Sequence, residues 1–377
     1  MENKLKKKSI LVDARWIRSL NIDGIGNFTL NVLIELTKNT QFDFFIIINS
    51  QEIENLLKYK FQNIEINFIQ HNFDINSIKG SIKLLKIIKK IKPNVFFSPN
   101  LSITGFLFIK NHYVVIHDLI PLKFPELFKS ASLKFKLFYA TKVFQKLSIL
   151  TCKKVIAVSQ NTKKDVKEIL KIKEEKIKVI TEGVTHFETE LNREFLSKKF
   201  NINNDYLLFV GRHERYKNID KVINAYLNLP ENIKENLSLV IIGKSNNLVT
   251  PNLKKLGKEN KKIIFLESLS PQDLSLFYKN AKILVHLSEY EGFGLTVLEA
   301  MSYGIPVIAS NISSIPEVVG DSSFLVDINK EKEIIDKITI LINDIELYKK
   351  ISKSVKERSK IFTWKKTSEQ LIHIFDF

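Results

Sequence analysis

Apolar residues in this chain fall in short unbroken runs separated by longer amphipathic stretches. The runs at 9–12, 42–48, 95–98, 113–116 and 154–158 form one series. A second series lies at 206–210, 237–242, 262–266, 283–287 and 306–309. A strand that alternates apolar and polar residues has one wet face. A continuous apolar run is covered on both faces, as strands of a parallel sheet are. Stretches with helical patterning, such as 27–38 and 132–151, separate the runs. The pattern predicts an α/β fold built twice. The polar interval 183–205 reads as the linker between the two halves. The expected boundaries are a first domain over 1–190, a second over 191–360 and a terminal helix over 361–377.

The most specific local pattern lies in the second half. The run Glu291-Gly292-Phe293-Gly294-Leu295-Thr296-Val297-Leu298-Glu299 follows an apolar strand and enters a helix-like stretch over 296–303. A strand, a glycine-bearing loop and a helix start gather free backbone N–H groups and the positive helix end at one place, which suits a phosphate. Two carboxylates flank that place. Glu291 stands at the loop entrance and Glu299 about one turn inside the helix. One can face a sugar and the other the rest of a nucleotide.

Three further patterns place chemistry at strand ends. In Leu208-Phe209-Val210-Gly211-Arg212-His213-Glu214-Arg215-Tyr216-Lys217-Asn218, the cations Arg212 and Lys217 follow a buried strand. Open α/β sheets bind ligands at that edge. Arg supplies a planar fork and Lys a point charge, both suited to a diphosphate. In Val114-Val115-Ile116-His117-Asp118, a strand delivers His117 to the same kind of edge. In Asp23-Gly24-Ile25-Gly26-Asn27, two glycines precede a helix, and glycine lets the backbone approach a phosphate. Surface cations, a hydrogen-bonded core histidine and a plain turn are the ordinary alternatives for the three.

Together these stretches resemble the family 4 glycosyltransferases, retaining enzymes of the GT-B type that use nucleotide sugars. The resemblance runs on through Ser302-Tyr303-Gly304-Ile305-Pro306-Val307 and Ser313-Ser314-Ile315-Pro316-Glu317. It implies two doubly wound, Rossmann-like domains facing across a cleft, with the last helix returning to the first domain. By resemblance, Arg212 and Lys217 bind the donor diphosphate, and cations in that role can replace a metal. His117 contacts the transferred sugar near the reacting centre. Glu299 holds the ribose, and Glu291 with the backbone of Phe293 and Gly294 holds sugar hydroxyls. The N–H groups of Leu295 and Thr296, and of Gly24 or Gly26, face phosphate. Relatives often carry arginine at the place of Asn27, proline at Arg215 and glycine at Glu267, a segment that flanks the nucleotide base. The segment 117–126 is similar to mannosyltransferases of bacterial surface-polysaccharide and lipopolysaccharide assembly. GDP-mannose is the expected donor, with UDP-glucose or another UDP-hexose the alternative. A saccharide or polyprenyl-linked acceptor is expected, and neither a metal nor another cofactor.

Composition narrows the partners. The chain has 377 residues and a net charge of +17. Residues 1–190 contribute +13 of this and the remainder +4. A basic first half suits an anionic membrane surface or anionic substrate. The lysines are spread over helices and no nucleic-acid module is recognisable, so no nucleic-acid partner is expected. The single cysteine, Cys152, rules out a disulfide framework within the chain and suits a reducing cytoplasm. It is expected to be a small apolar filler near a strand start. The apolar run after the basic start stops at Asp13, so no secretory signal is expected, and no run reaches the ~18–20 residues of a membrane span.

Overall fold

The computed structural model describes residues 7–19, 23–61, 64–75, 77–102, 109–128, 133, 136, 141–186, 192–257, 260–267 and 269–375. The chain divides into two compact units. One comprises Met1–Gly183 with Thr363–Phe377, the other Val184–Phe362.

The first unit holds seven strands: β1 (Lys8–Asp13), β2 (Phe42–Ile48), β3 (Asn67–Gln70), β4 (Val95–Ser98), β5 (His112–Ile116), β6 (Lys154–Ala157) and β7 (Ile177–Val179). Their order across the sheet is β3-β2-β1-β4-β5-β6-β7, and every pairing is parallel. The order reverses between β1 and β4. At such a switch point the flanking loops diverge and leave a crevice at the carboxyl edge. β4 and β5 are buried along their whole length.

The edge strands β3 and β7 fall outside the runs read from sequence. β3 is nowhere fully buried and β7 is buried at Ile177 only. An edge strand has one open flank and needs less apolar surface, so the continuous-run signal fades there.

The helix Gly24–Leu36 begins three residues before the sequence pattern suggested. Asp23 caps it, accepting a hydrogen bond from Gly26 N–H at 2.8 Å. The expected glycine loop is thus the first helical turn. Of the expected helix 132–151, the described part is Lys142–Leu150, and most of 132–140 lies outside the described residues.

The terminal helix Trp364–Ile374 belongs to this unit. It packs on Gly24–Leu36: the Trp364 and Phe28 rings meet edge to face at 5.8 Å, and Ser368 donates to Val32 O at 3.3 Å. Gly183 allows the return, because a Cβ there would lie 2.2 Å from Trp364 N. Phe375 then closes against Phe97 of β4 and Tyr113 of β5. Cys152 is 3% exposed and packed in the core beside β5 and β6.

The second unit repeats the design with β8 (Asp205–Val210), β9 (Leu237–Ile242), β10 (Ile263–Leu266), β11 (Ile283–His286), β12 (Val307–Ser310) and β13 (Phe324–Val326). The order is β10-β9-β8-β11-β12-β13, again all parallel. Its switch point lies between β8 and β11. The central strands are those with continuous burial, while β13, at the edge and absent from the sequence reading, is half-buried at Phe324 and Leu325. Residues 187–191 of the expected linker lie outside the described residues, and the rest of it carries a helix, Arg193–Phe200. Among the described residues no helix is long and apolar enough to cross a membrane.

Candidate active site

In the second unit the loops after β8 and β11 meet at the switch point. Three contacts lock them together. Glu289 N–H donates to Tyr216 O at 2.8 Å, Asn218 Nδ2 donates to Leu287 O at 2.8 Å, and Lys217 Nζ donates to Glu291 Oε1. The Lys217–Asn218 pair therefore fixes the loop as well as supplying a cation. Lys217 and Glu291 are 12% and 14% exposed, so this ion pair is largely withdrawn from water.

Glu291 has a second partner that the sequence reading did not single out. His286, the last residue of β11, brings Nε2 to 2.9 Å from the same oxygen, Oε1. The signal was a histidine closing an otherwise apolar strand. Burial alone would raise the Glu291 pKa, but the Lys217 charge and the His286 bond outweigh it and hold the carboxyl well below the usual carboxylate range. Glu291 is thus a fixed anion bound through one oxygen. Its backbone is held too: Ser313 Oγ and Ser314 Oγ both donate to Glu291 O at 2.9 Å.

The helix Leu295–Ser302 starts immediately after this loop. Gly294 precedes it with φ +112°, a region that disfavours side chains, and a Cβ there would sit 2.9 Å from Ile315 Cδ1. No side chain caps this helix start. The first N–H groups of a helix, here those of Leu295 and Thr296, have no intrahelical acceptor, and they carry the positive end of the dipole. Phe293 is buried, with its ring edge to face on Phe362 at 5.7 Å and its carbonyl accepting from Ser314 at 2.8 Å. Its backbone is consequently rigid.

Glu299 lies one turn along that helix in a different environment. Its Oε2 accepts a hydrogen bond from Tyr278 OH at 2.8 Å, and among the described residues no cation pairs with it. Burial raises its pKa and the Tyr278 bond lowers it, which leaves it at about 7. Tyr278 stacks on Tyr303 at 5.6 Å, and Tyr303 on His186 at 4.1 Å, which fixes the hydroxyl that orients Glu299. Two carboxylates on one loop and helix therefore differ in charge state near neutrality, one always ionised and one poised.

Arg212 follows β8 but stays 71% exposed on its side chain. Glu214 anchors it at 3.1 Å and also accepts from Asn246 Nδ2. Glu267, after β10, accepts from Ser245 N–H and Oγ, tying the β10 end to the β9 loop.

In the first unit His117 sits just beyond β5. Its Nδ1 is 2.8 Å from Glu182 Oε1 and its Nε2 2.9 Å from Pro99 O. The ring also meets the Phe28 edge at 4.8 Å, on the helix that Gly24 and Gly26 begin. Gly24 is exposed, and a Cβ there would meet nothing within 4 Å. The Gly26 N–H is a different matter: the Asp23 carboxylate already occupies it, so it is not a free phosphate donor. Glu182 lies 65 positions from His117 and carried no local signal. Among the described residues no group of three or more His, Cys, Asp or Glu side chains is arranged to hold a metal ion.

Comparison with known proteins places both units. Residues 22–186 match the model of Glycosyltransferase Family 4, and residues 192–358 match that of Glycosyl transferases group 1. The O-antigen chain mannosyltransferase B of Escherichia coli is 33% identical over 172 residues, 45% of this chain and 45% of that protein. The serotype-specific mannosyltransferase WbdA of Escherichia coli is 27% identical over 69% of this chain and 33% of its own length. The matches thus span less than half the length of these curated relatives. Among solved structures, Anabaena Alr3699/HepE in complex with UDP and glucose superposes with a TM-score of 0.74 at 16% identity, over 97% of this chain and 98% of that one. WaaG, a glycosyltransferase involved in lipopolysaccharide biosynthesis, gives a TM-score of 0.70 at 14% identity, over 97% and 99%. With two parallel Rossmann-like sheets and a family model on each half, the chain belongs to the family 4 glycosyltransferases of GT-B fold.

Proposed function

We propose that the protein transfers a hexose, with retention of anomeric configuration, from a nucleoside-diphosphate sugar to a saccharide or lipid-linked saccharide acceptor. The observation that carries this reading is the Lys217–Glu291 pair beside the uncapped start of Leu295–Ser302, at the switch point of the second sheet. In it the diphosphate accepts hydrogen bonds from the N–H groups of Leu295 and Thr296. Lys217 and Arg212 neutralise the charge that builds on the leaving group, a role that preorganised cations fill without a metal. The free oxygen of Glu291 accepts a sugar hydroxyl, alongside the rigid backbone of Phe293 and Gly294. Glu299 accepts from the ribose hydroxyls.

In the transfer the bond between C1 and the phosphate oxygen breaks as the acceptor oxygen bonds C1 on the same face. The acceptor proton passes to the departing phosphate oxygen, so no protein nucleophile is required. The family resemblance gives His117 the contact with the transferred sugar, and Gly24 supplies open backbone in its own unit.

Mannose from GDP-mannose is the donor favoured by the O-antigen mannosyltransferase relatives. A UDP-hexose is the second reading, favoured by the UDP and glucose held by the HepE structure. Action in the cytoplasm, at the inner membrane face, is supported by one helix of the first unit. Ile78–Ile91 contains five lysines and no acidic residue. It exposes Ile78 (70%) and Ile82 (51%) among Lys79, Lys83, Lys86, Lys89 and Lys90, a composition suited to an anionic lipid surface.

The test is a panel of labelled donors offered with lipid-linked acceptors, the anomeric configuration of the product being read by NMR. Transfer with retention is expected. Inversion rejects the mechanism, and no turnover with any donor rejects the enzymatic reading.

A further inference from the structure

His117 differs from His71 and His112, the two buried histidines of its unit, in what its two nitrogens meet. His71 takes a hydrogen bond on Nδ1 from Arg15 Nη1 at 3.1 Å and donates from Nε2 to Gly80 O at 2.9 Å. Its ring is therefore neutral, since Arg can only donate. His112 lies between Cys152 Sγ at 3.2 Å and Ser98 Oγ at 2.9 Å, fully buried without a carboxylate partner.

His117 instead faces an acceptor at each nitrogen. Pro99 O can only accept, so Nε2 must carry a proton. Glu182 Oε1, 3% exposed and 2.8 Å away, takes the proton side of Nδ1. A ring that donates from both nitrogens has no lone pair left and cannot act as a base.

We propose that Glu182 is a positioning residue: its carboxylate holds His117 as a doubly donating imidazolium, which acts in the transfer as a hydrogen-bond donor and cation rather than as a base. This rests on the placement of His117 against the sugar given above. A sugar oxygen can replace Pro99 O as the acceptor of the Nε2 proton. The Glu182 charge also compensates the ring, so the pair does not repel the positive charge that develops at C1. An unpaired imidazolium would.

Burial works against a charged ring, and only together do the Glu182 bond and charge, the Pro99 bond and the Asp118 charge outweigh it, so the His117 pKa is raised. The charged groups facing the ring are Glu182, from the segment after β7, and Asp118, the next residue, whose carboxylate accepts from Ile120 N–H. Phe28 and Pro99 bring no charge to it, and Thr162 donates to its backbone carbonyl.

The experiment is a ¹⁵N NMR titration of the histidine rings in the full chain, with His117→Asn identifying the His117 signals. In wild type His117 is expected to stay imidazolium above the ordinary histidine range. Glu182→Gln, which still accepts from Nδ1 but carries no charge, is expected to bring the titration down. Its kcat is expected to fall about 10–100-fold at pH 8, as when the partner orienting a functional histidine is lost, with donor KM changed less than about twofold. Glu182→Asp, which keeps the charge, is expected to restore part of both. A neutral ring in wild type at pH 7 overturns the proposal. So does a Glu182→Gln variant whose titration, or whose pH profile of kcat, stays that of wild type. The titration requires no donor, so it judges the His117–Glu182 pair even if sugar transfer itself is not found.

Discussion

Glu299 gives the most quantitative consequence of the donor site. Its pKa of about 7 reflects burial without a cation, and in the proposed site the ribose hydroxyls bind best to the carboxylate form, which can accept from both. The nucleotide-sugar diphosphate is esterified at both ends and does not titrate near neutrality, so among the proposed donor contacts Glu299 is the one whose charge changes there. With a pKa of about 7, roughly one tenth of the protein is ionised at pH 6 and roughly nine tenths at pH 8. Apparent affinity scales with the competent fraction. The donor should therefore bind about tenfold more weakly at pH 6 than at pH 8, and binding at pH 7 should release about half a proton.

The sign is fixed: the protonated form is the incompetent one, so affinity is lost as pH falls. Isothermal titration calorimetry in two buffers of different ionisation enthalpy measures both quantities. Glu299→Gln should bind more weakly and without this pH dependence. Tyr278→Phe removes the bond that holds the pKa down and should move the midpoint upward. A wild-type affinity that is flat from pH 6 to 8, with no proton released, refutes the assignment of Glu299 to the ribose.

Other expectations follow from single positions. Gly294→Ala meets both the positive φ and Ile315, so it should cost about 1–3 kcal/mol in thermal or urea unfolding and weaken donor binding, because it displaces the helix start. Unchanged stability would mean that the turn relaxes. The Cys152 thiol is buried and pushed up to about 12, so it should resist a thiol reagent at pH 8 in the native protein and react fully in denaturant. Rapid native labelling would contradict that packing. Ile78→Ser with Ile82→Ser should reduce binding to vesicles containing anionic lipid, and binding should weaken as salt rises. Salt-independent binding would argue against the charged face.

The sequence showed the middle of each sheet and lost the margins except β10, which the run at 262–266 anticipated. β5 and β9 are apolar at nearly every position because helices cover both faces, so they stand out as unbroken runs. β3, β7 and β13 have an open flank, only partial burial and three or four residues each, which together keep them from standing out as runs. The same contrast divides the site. Glu291, Gly294 and Glu299 sit on one continuous strand–loop–helix segment, whose local pattern carries the chemistry. Lys217 is 74 positions from Glu291, and the two were readable as neighbours only because their strands flank the switch point. The supporting residues were hidden for a physical reason. Glu182, Tyr278 and Glu214 act through side chains that meet their partners only after packing, and nothing in their immediate sequence requires it. His286 left a trace as a polar residue in an apolar strand. At 24–26 the sequence showed glycines but not that Asp23 would cap a helix there and take the Gly26 N–H, leaving Gly24 open.

The central claim is that the carboxyl edge of β8 and β11 holds a nucleoside-diphosphate sugar. Calorimetric titration of wild type, Lys217→Ala and Glu299→Ala with GDP-mannose, and in parallel with UDP-glucose, tests it most directly. Loss of a charged hydrogen bond to the donor is worth about 1.5–3 kcal/mol, so each variant should lose at least about tenfold in affinity for whichever donor wild type binds. Wild-type affinity retained in both variants would contradict the account.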